Sequence, residues 1–148
     1  MRNYSLPKIS FSFITIMVVA IVGWGTPVVW AQRGDANYLA AQAAIAYDDK
    51  RYEEALTLLN KALTLDPKNE RGLFYKGLVY LAQENPQEAI TPLETVHQLK
   101  PSDLDVQHHL GVAYFSVGAY DKAKPLLEPI FEQNPDTENL GYYIGFLR

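Results

Sequence analysis

TLDPKNE, residues 64–70, ends an apolar helical run at Leu65 and follows it with Asp66-Pro67 and a polar turn. The same stop recurs at QLKPSDL (98–104) and EQNPDTE (132–138), so Pro67, Pro101 and Pro135 lie 34 and 34 residues apart. A fixed period of roughly 20–50 residues is the mark of stacked repeats, and it decides the fold before any single helix is assigned. With Pro67 set at position 32, the units run 36–69, 70–103 and 104–137, and residues 138–148 open a fourth. Position 20 is Ala55, Ala89 and Ala123, position 24 is Leu59, Leu93 and Leu127, and position 8 is Ala43, Gly77, Gly111 and Gly145. Position 27 is Ala62, Val96 and Ile130, and position 11 is Ala46, Tyr80 and Tyr114. No gap is needed to hold this register.

Within a unit the apolar spacing is helical: Leu104, Leu110 and Tyr114 on one helix, Ala123, Leu127 and Ile130 on the next. Breaker signals fall between the two halves at Asp49-Lys50-Arg51, Glu84-Asn85-Pro86 and Gly118-Ala119. Each unit therefore reads as two antiparallel helices of about 14 residues joined by a short turn. Gly77 and Gly111 would let the paired helices approach closely, with Ala89 and Ala123 as the expected facing partners. Pro86 suits a first helical residue. Pro92, Pro125 and Pro129 fall further in and are expected to bend their helices.

The N-terminus reads differently. Arg2 and Lys8 precede a charge-free run from Ile9 to Val29, and Val29-Trp30-Ala31 places small residues around a cut before Gln32. This is the pattern of a secretory signal peptide over residues 1–31, with Pro27 expected to open an extended chain for the peptidase. The alternative is an uncleaved anchor over residues 9–29, which would tie the protein to a membrane. Export to a periplasmic or secreted location follows in the first case. With no cysteine in the chain, neither a lipid-modified cysteine nor a disulfide enters. Removing Arg2 and Lys8 from the 13 Lys+Arg leaves 11 against 17 Asp+Glu, a formal charge of −6. That sign argues against nucleic acid, whose phosphates supply most non-specific affinity.

The units resemble tetratricopeptide repeats, 34-residue helix–turn–helix units with small residues at 8, 20 and 27, large ones at 4, 7, 11 and 24, and Pro at 32. The resemblance covers 36–137 fully and 138–148 in part, and departs at Gln42 and Lys76 (position 7) and at Gln107 (position 4). It implies an all-α repeat solenoid of three units and a partial fourth. It also implies that the first helices line a concave groove, chiefly through positions 2, 5, 9, 12 and 13. Carried onto this chain, those positions give Tyr47 with Ala40 and Ala44, then Phe74, Leu78 and Leu81, then His108, Val112 and Phe115, then Tyr142 and Phe146. Asn37, Arg71 and Asp105 would form a polar edge, while Leu81 and Phe115 are also candidates for plain packing between units. The chaperone-binding members grip a C-terminal carboxylate with Lys and Asn on the first helix. Here Ala40 and Ala44 hold those places, with Asp105 and His109 on the third unit, so the resemblance implies an apolar or amphipathic protein segment as ligand.

No catalytic constellation is legible. His97, His108 and His109 lack metal spacing, and no G-x-S-x-G or Gly-rich phosphate loop occurs. His97 falls at position 28, where Leu63 and Phe131 stand in the other units, and is expected to be a half-buried, hydrogen-bonded histidine. No enzyme activity, cofactor or metal is expected; the reading is a protein-interaction scaffold of the bacterial envelope. Two rivals come from the C-terminus, where Ile144, Phe146 and Leu147 form an apolar face without a following helix. Residues 138–148 could instead serve as a short C-terminal cap on the third unit; otherwise the repeats could be the recruitment part of a longer enzyme or outer-membrane protein, or that face could pair with a second copy.

Overall fold

The computed structural model describes residues 27–133 and 140–147, with side chains from Gln32 onward. The stretch up to Thr26, which carries most of the signal-peptide pattern, and the third proline stop at Pro135 lie outside the described residues. Among the described residues seven helices follow one another: α1 (Pro27–Asp48), α2 (Tyr52–Leu65), α3 (Glu70–Ala82), α4 (Pro86–Leu99), α5 (Leu104–Ser116), α6 (Tyr120–Gln133) and α7 (Leu140–Leu147). No strand occurs among the described residues. The second helices start at Tyr52, Pro86 and Tyr120 and the first helices α3 and α5 at Glu70 and Leu104, which keeps the period of 34. The chain is an all-helical repeat solenoid. Helices pair as α1 with α2, α3 with α4 and α5 with α6, while α1, α3 and α5 also touch in succession.

The first helix departs from expectation. It holds 22 residues and begins at Pro27, so this proline opens a helix rather than an extended stretch. A missing N–H is harmless at a helix start. The helix runs through the Ala31–Gln32 bond. Gln32 to Asp35 are exposed, and Ala36 is the first of the described side chains to be buried.

Each first helix ends the same way. Lys50, Glu84 and Gly118, all at position 15, have φ of 61°, 58° and 79°. The following N–H then reaches back to the carbonyl five residues earlier: Arg51 to Ala46, Asn85 to Tyr80 and Ala119 to Tyr114, each at 2.8 Å. The left-handed residue itself donates to Tyr47, Leu81 or Phe115, at 2.8, 3.0 and 3.0 Å. These paired bonds satisfy carbonyls that a helix end leaves bare. Lys50 and Glu84 therefore hold a left-handed conformation that costs a non-glycine residue about 1–2 kcal/mol.

The joints between units are capped from position 34. Asn69 Oδ1 accepts from the Gly72 N–H at 2.9 Å, and Asn69 Nδ2 donates to Asn37 Oδ1 at 2.8 Å, tying α1 to the start of α3. Asp103 Oδ1 accepts from the N–H groups of Asp105 and Val106 at 3.1 and 3.2 Å. A cap of this kind contributes about 1 kcal/mol.

Packing follows the repeated positions. Leu59, Leu93 and Leu127 are fully buried, as are Ala55, Ala89 and Ala123. The facing partner of Gly77 and Gly111 is the leucine at position 24, which corrects the expected alanine at position 20. A Cβ built on Gly77 would lie 2.5 Å from Leu93 Cγ, and one on Gly111 2.5 Å from Leu127 Cδ2. The leucine tip crosses the helix pair and uses the space a side chain would need. Pro92, Pro125 and Pro129 lie inside α4 and α6, and neither helix is interrupted. No helix among the described residues is long and apolar enough to cross a membrane.

Candidate functional site

The first helices α1, α3, α5 and α7 turn one face toward a common surface. On it lies a depression of about 280 Å3 lined by Tyr47, Leu78, Leu81, Ala82, His108, His109, Val112 and Tyr143. Five expected groove residues thus meet: Tyr47, Leu78, Leu81, His108 and Val112. Leu78 is only 8% exposed and forms floor rather than wall. Phe74 lies in a neighbouring, larger depression of about 860 Å3, together with Asn37, Arg71 and Asp105 of the expected polar edge. Its ring stands edge-on to His109 at 5.6 Å, which joins the two depressions.

The remaining three gather at the C-terminal end. Phe115 is half-buried, with ring centroids 4.8 Å from Tyr143, 5.2 Å from Phe146 and 6.1 Å from Tyr142. It packs α5 against α7 as well as facing the groove. Tyr142 and Phe146 are 68% and 57% exposed.

Three rings at position 6 were not among the expected residues: Tyr75, His109 and Tyr143. Two of them stand where position 12 of the preceding unit reaches them, Tyr47 meeting Tyr75 at 5.8 Å and Phe115 meeting Tyr143 at 4.8 Å, while His109 meets Phe74 at 5.6 Å. The signal was present in the sequence, since 75, 109 and 143 are one period apart.

The smaller depression carries no formal charge in its lining, because no Asp, Glu, Lys or Arg contributes to it. Burial lowers the His108 pKa from the ordinary 6.5, His109 beside it lowers it further, and Asp105 opposes them. His108 is therefore neutral at pH 7. His109 Nδ1 is 2.7 Å from the Asp105 carbonyl oxygen, which can only accept, so Nδ1 carries a hydrogen. Burial raises the Tyr47 phenol, with Tyr52 and Asp48 adding to it. The Tyr114 hydroxyl, outside the groove, donates to Glu94, and Lys122 Nζ lies 5.0 Å from the Tyr114 ring centroid. Burial together with that hydrogen bond pushes the Tyr114 pKa up to about 12.

His97 differs from expectation. It is half-buried, but its Nδ1 has no hydrogen-bond partner. The site is shaped for the leucine or phenylalanine that the other units place there, so nothing polar faces the ring nitrogen. His97 lines neither depression. Among the described residues, no three His, Cys, Asp or Glu side chains lie together as a metal site. Ala40 is fully buried and Ala44 half-buried, so this part of α1 offers a ligand no polar side-chain atom.

Two family profiles match the chain, one described as tetratricopeptide repeat over residues 80–141 and one as TPR repeat over residues 43–84. The chain belongs to the tetratricopeptide repeat family. These tetratricopeptide repeats are 30% identical over 113 residues to the Homo sapiens peptidyl-prolyl cis-trans isomerase FKBP4, covering 74% of this chain and 25% of that one. The chain spans between 11% and 25% of the length of the curated relatives it matches. Among solved structures, the first TPR of Spaghetti (RPAP3) bound to the HSP90 peptide SRMEEVD superposes with a TM-score of 0.68 at 18% identity, covering 78% of this chain and 91% of that one. YrrB, a TPR protein with an unusual peptide-binding site, superposes with a TM-score of 0.70 at 22% identity, covering 88% and 63%. At such identities the likeness is one of fold.

Proposed function

We propose that this tetratricopeptide repeat protein is a non-catalytic scaffold that holds an apolar or amphipathic segment of a protein partner across the inner face of its first helices. The observation that carries the reading is the convergence of Tyr47, Leu81, His108, Val112 and Tyr143, from four helices, on one depression without formal charge. Aromatic side chains in such a place give large contact area at small entropic cost. That a neighbour of the same fold was solved with a peptide bound supports a peptide segment as the ligand. The test is a photoreactive side chain installed at 81 or 143 and, as control, at exposed position 38. Crosslinks to a partner from 81 and 143 but not from 38 are expected. Equal labelling from all three sites would refute the groove.

The proposed location is the bacterial envelope, as an exported periplasmic or secreted protein. Arg2, Lys8 and the uncharged run from Ile9 to Val29 support it. A cut after Ala31 leaves α1 with the exposed residues Gln32–Asp35 ahead of its first described buried side chain, Ala36. Intact mass of the protein from its host's envelope fraction tests this: a species starting at Gln32 is expected, and the full chain would mean an anchored protein instead.

The exposed rings of Tyr142 and Phe146 favour a second reading, in which α7 packs on another copy or on further protein. Sedimentation over a dilution series separates self-association from a monomer, whose mass stays constant.

A further inference from the structure

Rings of the first helices, with Tyr52 and Tyr120 from the starts of α2 and α6, form continuous tracks of edge-to-face and tilted contacts. From Tyr52 the first runs to Tyr47 (5.9 Å), Tyr75 (5.8 Å), Phe74 (5.9 Å), His109 (5.6 Å) and His108 (5.0 Å). The second runs from Tyr142 to Tyr143 (5.7 Å), Phe115 (4.8 Å), Phe146 (5.2 Å) and Tyr120 (5.0 Å). Tyr47, His108 and His109 of the first and Tyr143 of the second wall the same depression. Of the tyrosine hydroxyls, those of Tyr38 and Tyr114 are the ones hydrogen-bonded to protein among the described residues. Tyr47 and Tyr143, the two tyrosines that line the depression, are not among them.

We infer that the segment held in this groove is proline-rich, in the polyproline II form, and flanked by basic residues. The inference rests on the groove reading above and narrows it. An added β-strand is excluded by the walls, since every backbone around the depression is helical and its N–H and C=O groups are spent within the helices. A polyproline II segment is thin, has no internal hydrogen bonds and leaves its carbonyls bare, while its prolines have no N–H to satisfy. It needs ring faces and hydrogen-bond donors, which the free tyrosine hydroxyls supply beside their own rings.

Charge fixes the flanks. At the turn end of the groove, Asp48 follows Tyr47 and Glu84 follows Ala82 by two residues, both exposed and neither in an ion pair among the described residues. Arg51, the nearby arginine, is held by Asp49 and Glu54. A lysine or arginine beside the proline run meets this acidic rim, and the uncharged floor takes the run itself.

The test is fluorescence anisotropy with the full-length chain and two labelled probes, a ten-proline peptide with lysine at each end and a helix-forming Leu/Lys peptide of equal length. The proline probe is expected to bind saturably. Tyr47→Phe together with Tyr143→Phe, which keeps the rings and removes the donors, should weaken it about tenfold. Tyr38→Phe should leave it unchanged. Binding of the helical probe alone, lost on Tyr47→Ala, would overturn the proline inference and leave the groove reading standing. Binding of neither probe, or proline binding indifferent to Tyr47 and Tyr143, would overturn both.

Discussion

Gly111→Ala adds one carbon where none fits. Its Cβ would lie 2.5 Å from Leu127 Cδ2 and 2.7 Å from Leu127 Cγ, and Leu127 is fully buried, so the leucine cannot swing into solvent. Overpacking of this kind costs about 1–3 kcal/mol. Alanine returns about 1 kcal/mol in helix propensity, which leaves a net loss of up to about 2 kcal/mol. Leu127→Ala alone should cost about 2–5 kcal/mol through the cavity it opens. With both changes the clash is gone and the propensity gain remains, so the double variant should be more stable than the two single losses sum to, by about 1–3 kcal/mol. Gly145→Ala is the internal control. It occupies the same position 8 of the fourth unit, where an added Cβ meets nothing within 4 Å, and should stabilise by about 1 kcal/mol. Urea unfolding followed by far-ultraviolet circular dichroism reads all four variants. Additivity of Gly111→Ala and Leu127→Ala within about 0.5 kcal/mol would show that the glycine is not there for the leucine.

Glu84→Gly relieves a left-handed residue at φ 58° and should raise stability by about 0.5–1 kcal/mol after the entropy that glycine adds to the unfolded chain, read as a higher thermal midpoint. In an alkaline spectrophotometric titration, Tyr114 should ionise at about 12. Its folded pKa lies above the ordinary 10.0, so its stabilising contribution is full below pH 10 and fades as pH rises toward 12; Tyr114→Phe should flatten that fall. For His108 the sign is opposite. Its folded pKa is below 6.5, the unfolded chain takes up the proton first, and stability falls as the pH drops below 6.5; His108→Gln should lessen the loss between neutral and acidic pH.

What the sequence made legible was whatever is local and repeated. Proline stops, buried Ala at position 20 and Leu at position 24 each depend on a helix's own periodicity, and three copies removed the ambiguity a single copy would leave. The partner of Gly111 was not legible that way. A glycine announces that something approaches, and which side chain fills the gap depends on the crossing of two helices. The length of α1 was misjudged because Pro27 admits both a helix start and an extended processing site, and nothing in residues 27–31 separates the two. His97 was read from its identity, as a residue that finds a partner, whereas its slot was shaped for Leu63 and Phe131 in the sister units. At the groove, Leu78 and Val112 from position 9 and Tyr47 and Leu81 from position 12 line one depression. Tyr75, His109 and Tyr143 were missed because position 6 was not among the positions carried over, though His109 and Tyr143 line the smaller depression and Tyr75 the larger.

Among the described residues the well-packed helix pairs all join a helix to the next one or two along the chain. Such a molecule is close to a one-dimensional chain of coupled units, with stability set by each unit and its interfaces with its neighbours. Folding can then begin in whichever pair forms first and spread outward, and loop closures stay short, which favours fast folding. The effect of damage fades along the stack rather than spreading through it. Amide exchange should be slowest in α3 to α5, which have neighbours on both sides, and should quicken toward α1 and α7. Gain or loss of a whole 34-residue unit leaves the remaining joints the same in kind, so such an array can change its length, and with it the length of segment it grips, without being redesigned.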